Sequence, residues 1–204
     1  KLIQHLASDP DSAAYEGQLW FNTTSSDYKT IQKVAGAWST GGNISANKAE
    51  LGSCGTQTAA MVFGGIKPGA IDETEQYNGS TWSEVNDLNT ARSGMGGAGT
   101  QTAGLGFGGH TDAPQALSEE FDGTNWAEGD DLNQARYFLA GAGTQTAGLG
   151  FGGYTPSAYS ADSEEYNGTS WAEGDNLNTA RNELAGCGTQ TAGLAFGGAA
   201  PAAS

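Results

Sequence analysis

The 204-residue chain carries 23 acidic against 8 basic side chains, for a net charge of −15, and 33 glycines. That balance argues against nucleic acid or an anionic membrane surface as the main partner, and no run of 18 apolar residues is present to span a bilayer. Only 28 residues are Leu, Ile, Val or Phe, a composition that leaves an ordinary acidic chain disordered.

Residues 1–17 form a turn-rich lead-in, and Ala7 to Gly17 reads as a linker from an upstream domain. Short strands are predicted at Gln18 to Asn22, Tyr28 to Val34 and Ala37 to Thr40, with turn residues Thr23 to Asp27 and Ala35-Gly36 between them. The division expected is 1–27 for the lead-in with its short strand module and 28–204 for a repeat array.

The array is built on Gly-Thr-Gln-Thr-Ala, a short apolar run and Phe-Gly-Gly, which recurs at Gly55 to Gly65, Gly99 to Gly109, Gly143 to Gly153 and Gly188 to Gly198. The starts are 44, 44 and 45 residues apart. Units too poor in large apolar residues to fold alone can stack and share one core, which answers the disorder argument. In the unit from Leu132 to Trp171, strands are predicted at Tyr137 to Thr144, Gln145 to Phe151, Ser163 to Tyr166 and Thr169 to Glu173, with Asn167-Gly168 as a two-residue type I′ turn. The fold class is therefore all-β, and four short antiparallel strands in 44 residues have the size of one propeller blade.

Three units are complete, at 44–86, 88–130 and 132–175. The stretch 177–198 has two inner strands and 28–40 has two outer ones, so the halves can pair and close a four-bladed ring. Ala200 to Ser204 also resembles the loop Thr155 to Tyr159, as though a further hairpin followed. Closure at four blades and membership of a larger propeller both stand.

Other landmarks hold phase. Trp38, Trp82, Trp126 and Trp171 read as inter-blade packing, and Tyr77, Phe121 and Tyr166 each precede their Trp by five residues. Lys48, Arg92, Arg136 and Arg181 mark one position, with Glu75, Glu119 and Glu164 or carbonyls of the adjoining blade as expected partners. Gly-Gly, then an aromatic, then Trp, then Arg resembles the Kelch repeat over roughly 28–204, which implies a Kelch-like β-propeller of four-stranded blades. The Gly-Thr-Gln-Thr-Ala-Gly-Leu segment departs from it, since Kelch units carry bulkier strands there. Ala7-Ser8-Asp9-Pro10, Glu16 to Thr24 and Gly36-Ala37-Trp38 look like a short module of tailed-phage fibre and other virion proteins, and the Gly-Thr-Gln-Thr-Ala repeats are similar to arrays in structural proteins of marine phages. The resemblance implies a non-enzymatic tail, fibre or particle-surface protein located in the virion. Its expected partners are other virion proteins and further copies of itself.

The sequence offers little for catalysis. His5 and His110 are the only histidines, and no Ser/His/Asp set recurs. No catalytic residue, cofactor or metal ligand is predicted. Glu128 to Asp131 and Glu173 to Asp175 read as solvated turns and not as calcium loops. Cys54 and Cys187 share a phase that Ala98 and Ala142 fill elsewhere, as small residues do; whether the thiols approach depends on ring size. The repeats differ most after Phe-Gly-Gly, at Ile66 to Thr74, His110 to Ser118 and Tyr154 to Asp162, loops expected to crowd one rim. Lys67, His110, Asp112, Tyr154 and Tyr159 are the candidate side chains there for a host-surface glycan or protein. The alternative function is a glycan-binding lectin propeller of viral or bacterial origin.

Overall fold

A computed structural model describes residues 4–6, 19–24, 26–30 and 40–201. The chain divides into Lys1–Thr40 and Gly41–Ser204. In the first unit, β1 (Gln4–Leu6), β2 (Leu19–Asn22) and β3 (Asp27–Thr30) form one sheet. β2 and β3 make the expected hairpin, registered Leu19 to Thr30 and Asn22 to Asp27, with Ser26 at φ 61° in its turn. β1 runs parallel to β2 and carries too few residues to show a strand period in the sequence. Residues 31–39 lie outside the described residues, and with them Trp38 and nearly all of the strand expected at Ala37 to Thr40. The same holds for most of 28–40 as a partner for the last unit; its first residues, through Thr30, pair with β2.

The second unit holds β4 (Gly52–Thr56), β5 (Ala59–Phe63), β6 (Thr74–Tyr77), β7 (Trp82–Val85), β8 (Gly96–Thr100), β9 (Ala103–Phe107), β10 (Ser118–Phe121), β11 (Trp126–Glu128), β12 (Ala140–Thr144), β13 (Ala147–Phe151), β14 (Ser163–Tyr166), β15 (Trp171–Glu173), β16 (Asn182–Thr189) and β17 (Ala192–Ala199). They make three four-stranded antiparallel meanders, β4 to β7, β8 to β11 and β12 to β15, and a two-stranded sheet, β16 and β17. No helix occurs among the described residues.

Three local expectations need correction. The strand expected at Tyr137 to Thr144 begins only at Ala140, with Tyr137 in an isolated bridge to Tyr154. Gln145 is not in a strand: Thr144 pairs with Ala147, so Gln145-Thr146 is the two-residue turn of the inner hairpin. Conversely, Asn167-Gly168 is not a two-residue turn. Tyr166 pairs with Trp171, leaving a four-residue loop in which Asn167 Oδ1 accepts from the N–H groups of Thr169 (2.9 Å) and Ser170 (3.0 Å). The Asn side chain replaces a backbone turn bond, a competition that the dipeptide signal does not reveal.

Inner strands β4, β8, β12 and β16 lie side by side in chain order. All four line one cavity of about 430 Å³, to which they contribute Cys54, Ala98, Ala142 and Cys187. Four sheets whose inner strands face a common space are consistent with a propeller-like arrangement. Glycine permits the approach: a Cβ on Gly141 would lie 2.3 Å from the Gly97 carbonyl oxygen of the preceding sheet.

Among the described residues the core consists of three clusters, one at each joint between consecutive sheets of the second unit. Phe63 packs over the Gly97 and Gly106 positions of the second sheet, and Phe107 over Gly141 and Gly150 of the third. Trp126 closes the first joint, its ring 5.0 Å from Phe63 and its Nε1 donating to Thr74 Oγ1 at 3.0 Å. Trp171 closes the second in the same way, 4.9 Å from Phe107 and donating to Ser118 Oγ at 2.9 Å. A backbone belt also crosses the joints, with Gly94 N donating to Glu50 O, Phe138 N to Gly94 O and Glu183 N to Phe138 O at 2.7–2.9 Å. Each belt residue has positive φ, between 53° and 62°. Left-handed backbone costs a non-glycine residue about 1 kcal/mol or more. Glu183 is exposed, so Glu183→Gly is expected to stabilise the protein by about 0.5–1 kcal/mol, read as a higher urea midpoint at unchanged slope.

Candidate functional site

The in-phase charged residues are built into the scaffold. Arg92 is fully buried; it donates to the carbonyls of Gly108 (2.8 Å) and Leu117 (2.7 Å) and to Glu119 Oε1 (2.8 Å). Arg136 repeats the set on Gly152, Asp162 and Glu164 Oε1. These carbonyls belong to the arginine's own sheet and not to an adjoining one. The second carboxylate oxygen is held by Asn89 in the first case and Asn133 in the second, through backbone and side-chain N–H groups. Burial lowers the pKa of both arginines and the facing carboxylates only partly offset it; a guanidinium stays charged regardless.

Lys48 replaces Arg in the first unit and contacts Glu73 and Glu75, each at 2.6 Å. Burial opposes ionisation of Glu75, but Lys48 together with the Ser45 backbone N–H and hydroxyl outweighs it and holds the carboxyl below its ordinary range. Glu73 is also lowered, first by its hydrogen bond from Lys48. A depressed carboxylate contributes stability that is complete above the unfolded pKa of about 4.3 and is lost as pH falls through the folded value. Stability is therefore expected to decline with acid below about pH 4.5, and Lys48→Met should flatten that decline in urea titrations repeated across pH.

The glutamines of the Gly-Thr-Gln-Thr turns were not singled out in the sequence, yet those of the second, third and fourth units clamp their sheets to the one before. Gln101 Nε2 donates to Ala60 O and Tyr77 O, Gln145 to Gly104 O and Phe121 O, and Gln190 to Gly148 O and Tyr166 O, at 2.8–3.2 Å. Their unbroken recurrence at the tip of a hairpin was the available signal. Trp126 and Trp171 are buried at the joints, whereas Trp82 is half-buried and donates to Gly42 O at 3.1 Å. Both cysteines are free thiols, and burial pushes the Cys54 pKa up to about 12.

Several partly exposed rings gather near the loops that follow Phe-Gly-Gly. His110 and Tyr154 open their loops, and each forms a bridge back to the segment that follows the repeat arginine, at Ser93 and Tyr137 respectively. The ring of Tyr137 lies 4.9 Å from His110, 4.8 Å from Phe138 and 5.8 Å from Tyr154, and Tyr154 lies 5.3 Å from Tyr159. Five partly exposed rings thus form one continuous strip across two sheets. Of the candidates, His110, Tyr154 and Tyr159 come together here. Lys67 instead pairs with Glu73 at 3.5 Å, and Asp112 is exposed in its loop. Tyr137 and Phe138 were missed; they stand where the other units have Ala49-Glu50, Ser93-Gly94 and Asn182-Glu183, so the departure from the repeat marked them.

Among the described residues no group of three His, Cys, Asp or Glu side chains is arranged to hold a metal ion. Neither a protein-family model nor a curated protein sequence matches the chain.

Proposed function

We propose that the repeat array is a Kelch-like propeller whose sheets are its blades, and that the protein is a non-enzymatic component of a phage particle that uses one rim for attachment to a host surface. The observation that carries the binding role is the strip from His110 to Tyr159. It is the one place among the described residues where rings from two successive sheets meet in a partly exposed row. Rings of this kind offer flat apolar faces with polar edges at little entropy cost, which suits a glycan or protein surface. The in-phase Arg, Gln and Trp side chains are already bonded within the scaffold, which supports a binding role over catalysis. The virion setting is supported by the likeness of the lead-in and of the repeats to phage structural proteins.

Labelled antibody against the chain should decorate purified particles, and absence of label on every particle would count against the setting. Binding of the purified protein to host-surface glycans on an array should fall about tenfold in Tyr154→Ala, with the melting temperature kept within a few degrees. An array signal without any particle labelling would favour the lectin reading, which the same strip supports.

A further inference from the structure

The third and fourth units together carry a set of groups whose counterparts are occupied at the earlier joints. Beside Phe151 and Ser163 lies an open cavity of about 280 Å³, also lined by Glu165, Leu177, Gln190 and Ala195. Phe151 and Ser163 stand one repeat after Phe107 and Ser118, the pair that receives Trp171, and two after Phe63 and Thr74, the pair that receives Trp126. Glu165 corresponds to Glu120, whose Oε1 accepts from the Tyr166 hydroxyl at 2.5 Å. Arg181 corresponds to Arg92 and Arg136 but bonds only the Gly197 carbonyl, at 2.7 Å, and has no carboxylate partner among the described residues. Asn178 corresponds to Asn89 and Asn133, which cap that carboxylate. β17 has the edge that β9 and β13 use to pair with β10 and β14, and its Leu194 and Phe196 are 59% and 48% exposed.

From this coincidence we infer that the flank of β16 and β17 is a docking site for one tryptophan-bearing acidic β-hairpin. Such a hairpin would pair with the β17 edge and seat its Trp between Phe151 and Ser163. A Tyr five residues before the Trp would place its hydroxyl on Glu165, and a Glu seven residues before the Trp would supply the carboxylate for Arg181 and Asn178. The hairpins at 74–82, 118–126 and 163–171 all carry that Glu, and the first and third carry the Tyr. Counting back from Trp38 instead finds Ile31 and Lys33 at the two positions, so the chain's own early Trp segment lacks both polar partners. The occupant the site fits best is a hairpin of the full repeat type. This inference stands on the joint geometry and does not depend on the virion or rim-binding reading.

A cyclised, fluorescein-labelled peptide with the sequence of residues 163–175 is titrated with the full chain and with its Trp38→Ala variant, and anisotropy is followed. Saturable binding is expected, weakened about a hundredfold when the peptide carries Trp171→Ala and about tenfold when the protein carries Arg181→Met. Binding to the Trp38→Ala chain alone also supports the site. The inference is overturned if neither chain binds at about 1 mM protein, or if binding ignores the loss of the peptide Trp.

Discussion

Arg136→Met is expected to cost about 3–5 kcal/mol of stability, read as a lowered urea midpoint with the slope unchanged. The side chain is fully buried, and it satisfies two carbonyls besides Glu164, which is itself 1% exposed. Its removal leaves an ionised carboxylate in the interior with only the Asn133 N–H groups for company. Adding Glu164→Leu should recover most of the loss, because burying a charge pair is itself costly. The pair is not ideally served here, since Arg136 Nε lacks a hydrogen-bond partner. Arg181→Met, which removes a single carbonyl bond from a partly exposed side chain, should cost no more than about 1 kcal/mol. Equal costs for the two arginines would contradict the assignment of the charge pair as the dominant contribution.

Phe107→Ala is expected to lose about 3–5 kcal/mol, and the in-phase change Phe196→Ala less than about 1 kcal/mol. Phe107 is completely buried against the Gly141 and Gly150 positions and the Trp171 ring, so truncation removes its contacts and opens a cavity between two sheets. Phe196 holds the same place in the repeat but is 48% exposed. Parallel denaturation curves of the two variants measure how much of the core belongs to the joints and how much to the individual sheets. Similar losses would mean that the joints are not where the burial energy resides.

Much of this fold was legible because a fixed period exposes equivalences that single strands conceal. The strand at Ser163–Tyr166, the Phe-Gly-Gly ends and the joint role of Trp126 and Trp171 all follow from phase. Legibility failed where the same dipeptide can satisfy its backbone in two ways. Asn167-Gly168 reads as a tight turn, but the Asn side chain opens it to four residues. Gln145 reads as one more strand residue because a polar side chain in a strand and a polar side chain at a hairpin tip look alike without a partner. The aromatic strip was half legible: loop variability pointed to His110, Tyr154 and Tyr159, whereas Tyr137 and Phe138 read as the start of a strand that in fact begins at Ala140. Which rings meet was decided by bridges between segments far apart in the chain.

The glutamine clamps have a consequence for symmetry. At all three joints the clamp is donated by the later unit and accepted by the earlier one, and at the first two the tryptophan N–H follows the same direction. The contact is therefore heterologous, and the described sheets share one direction of donation. Gln57 in the opening unit is exposed, without a clamp of this type among the described residues. Neither flank of such a joint is complementary to itself, so association of copies through flanks of this type would be head-to-tail, and a two-fold dimer would have to use another surface.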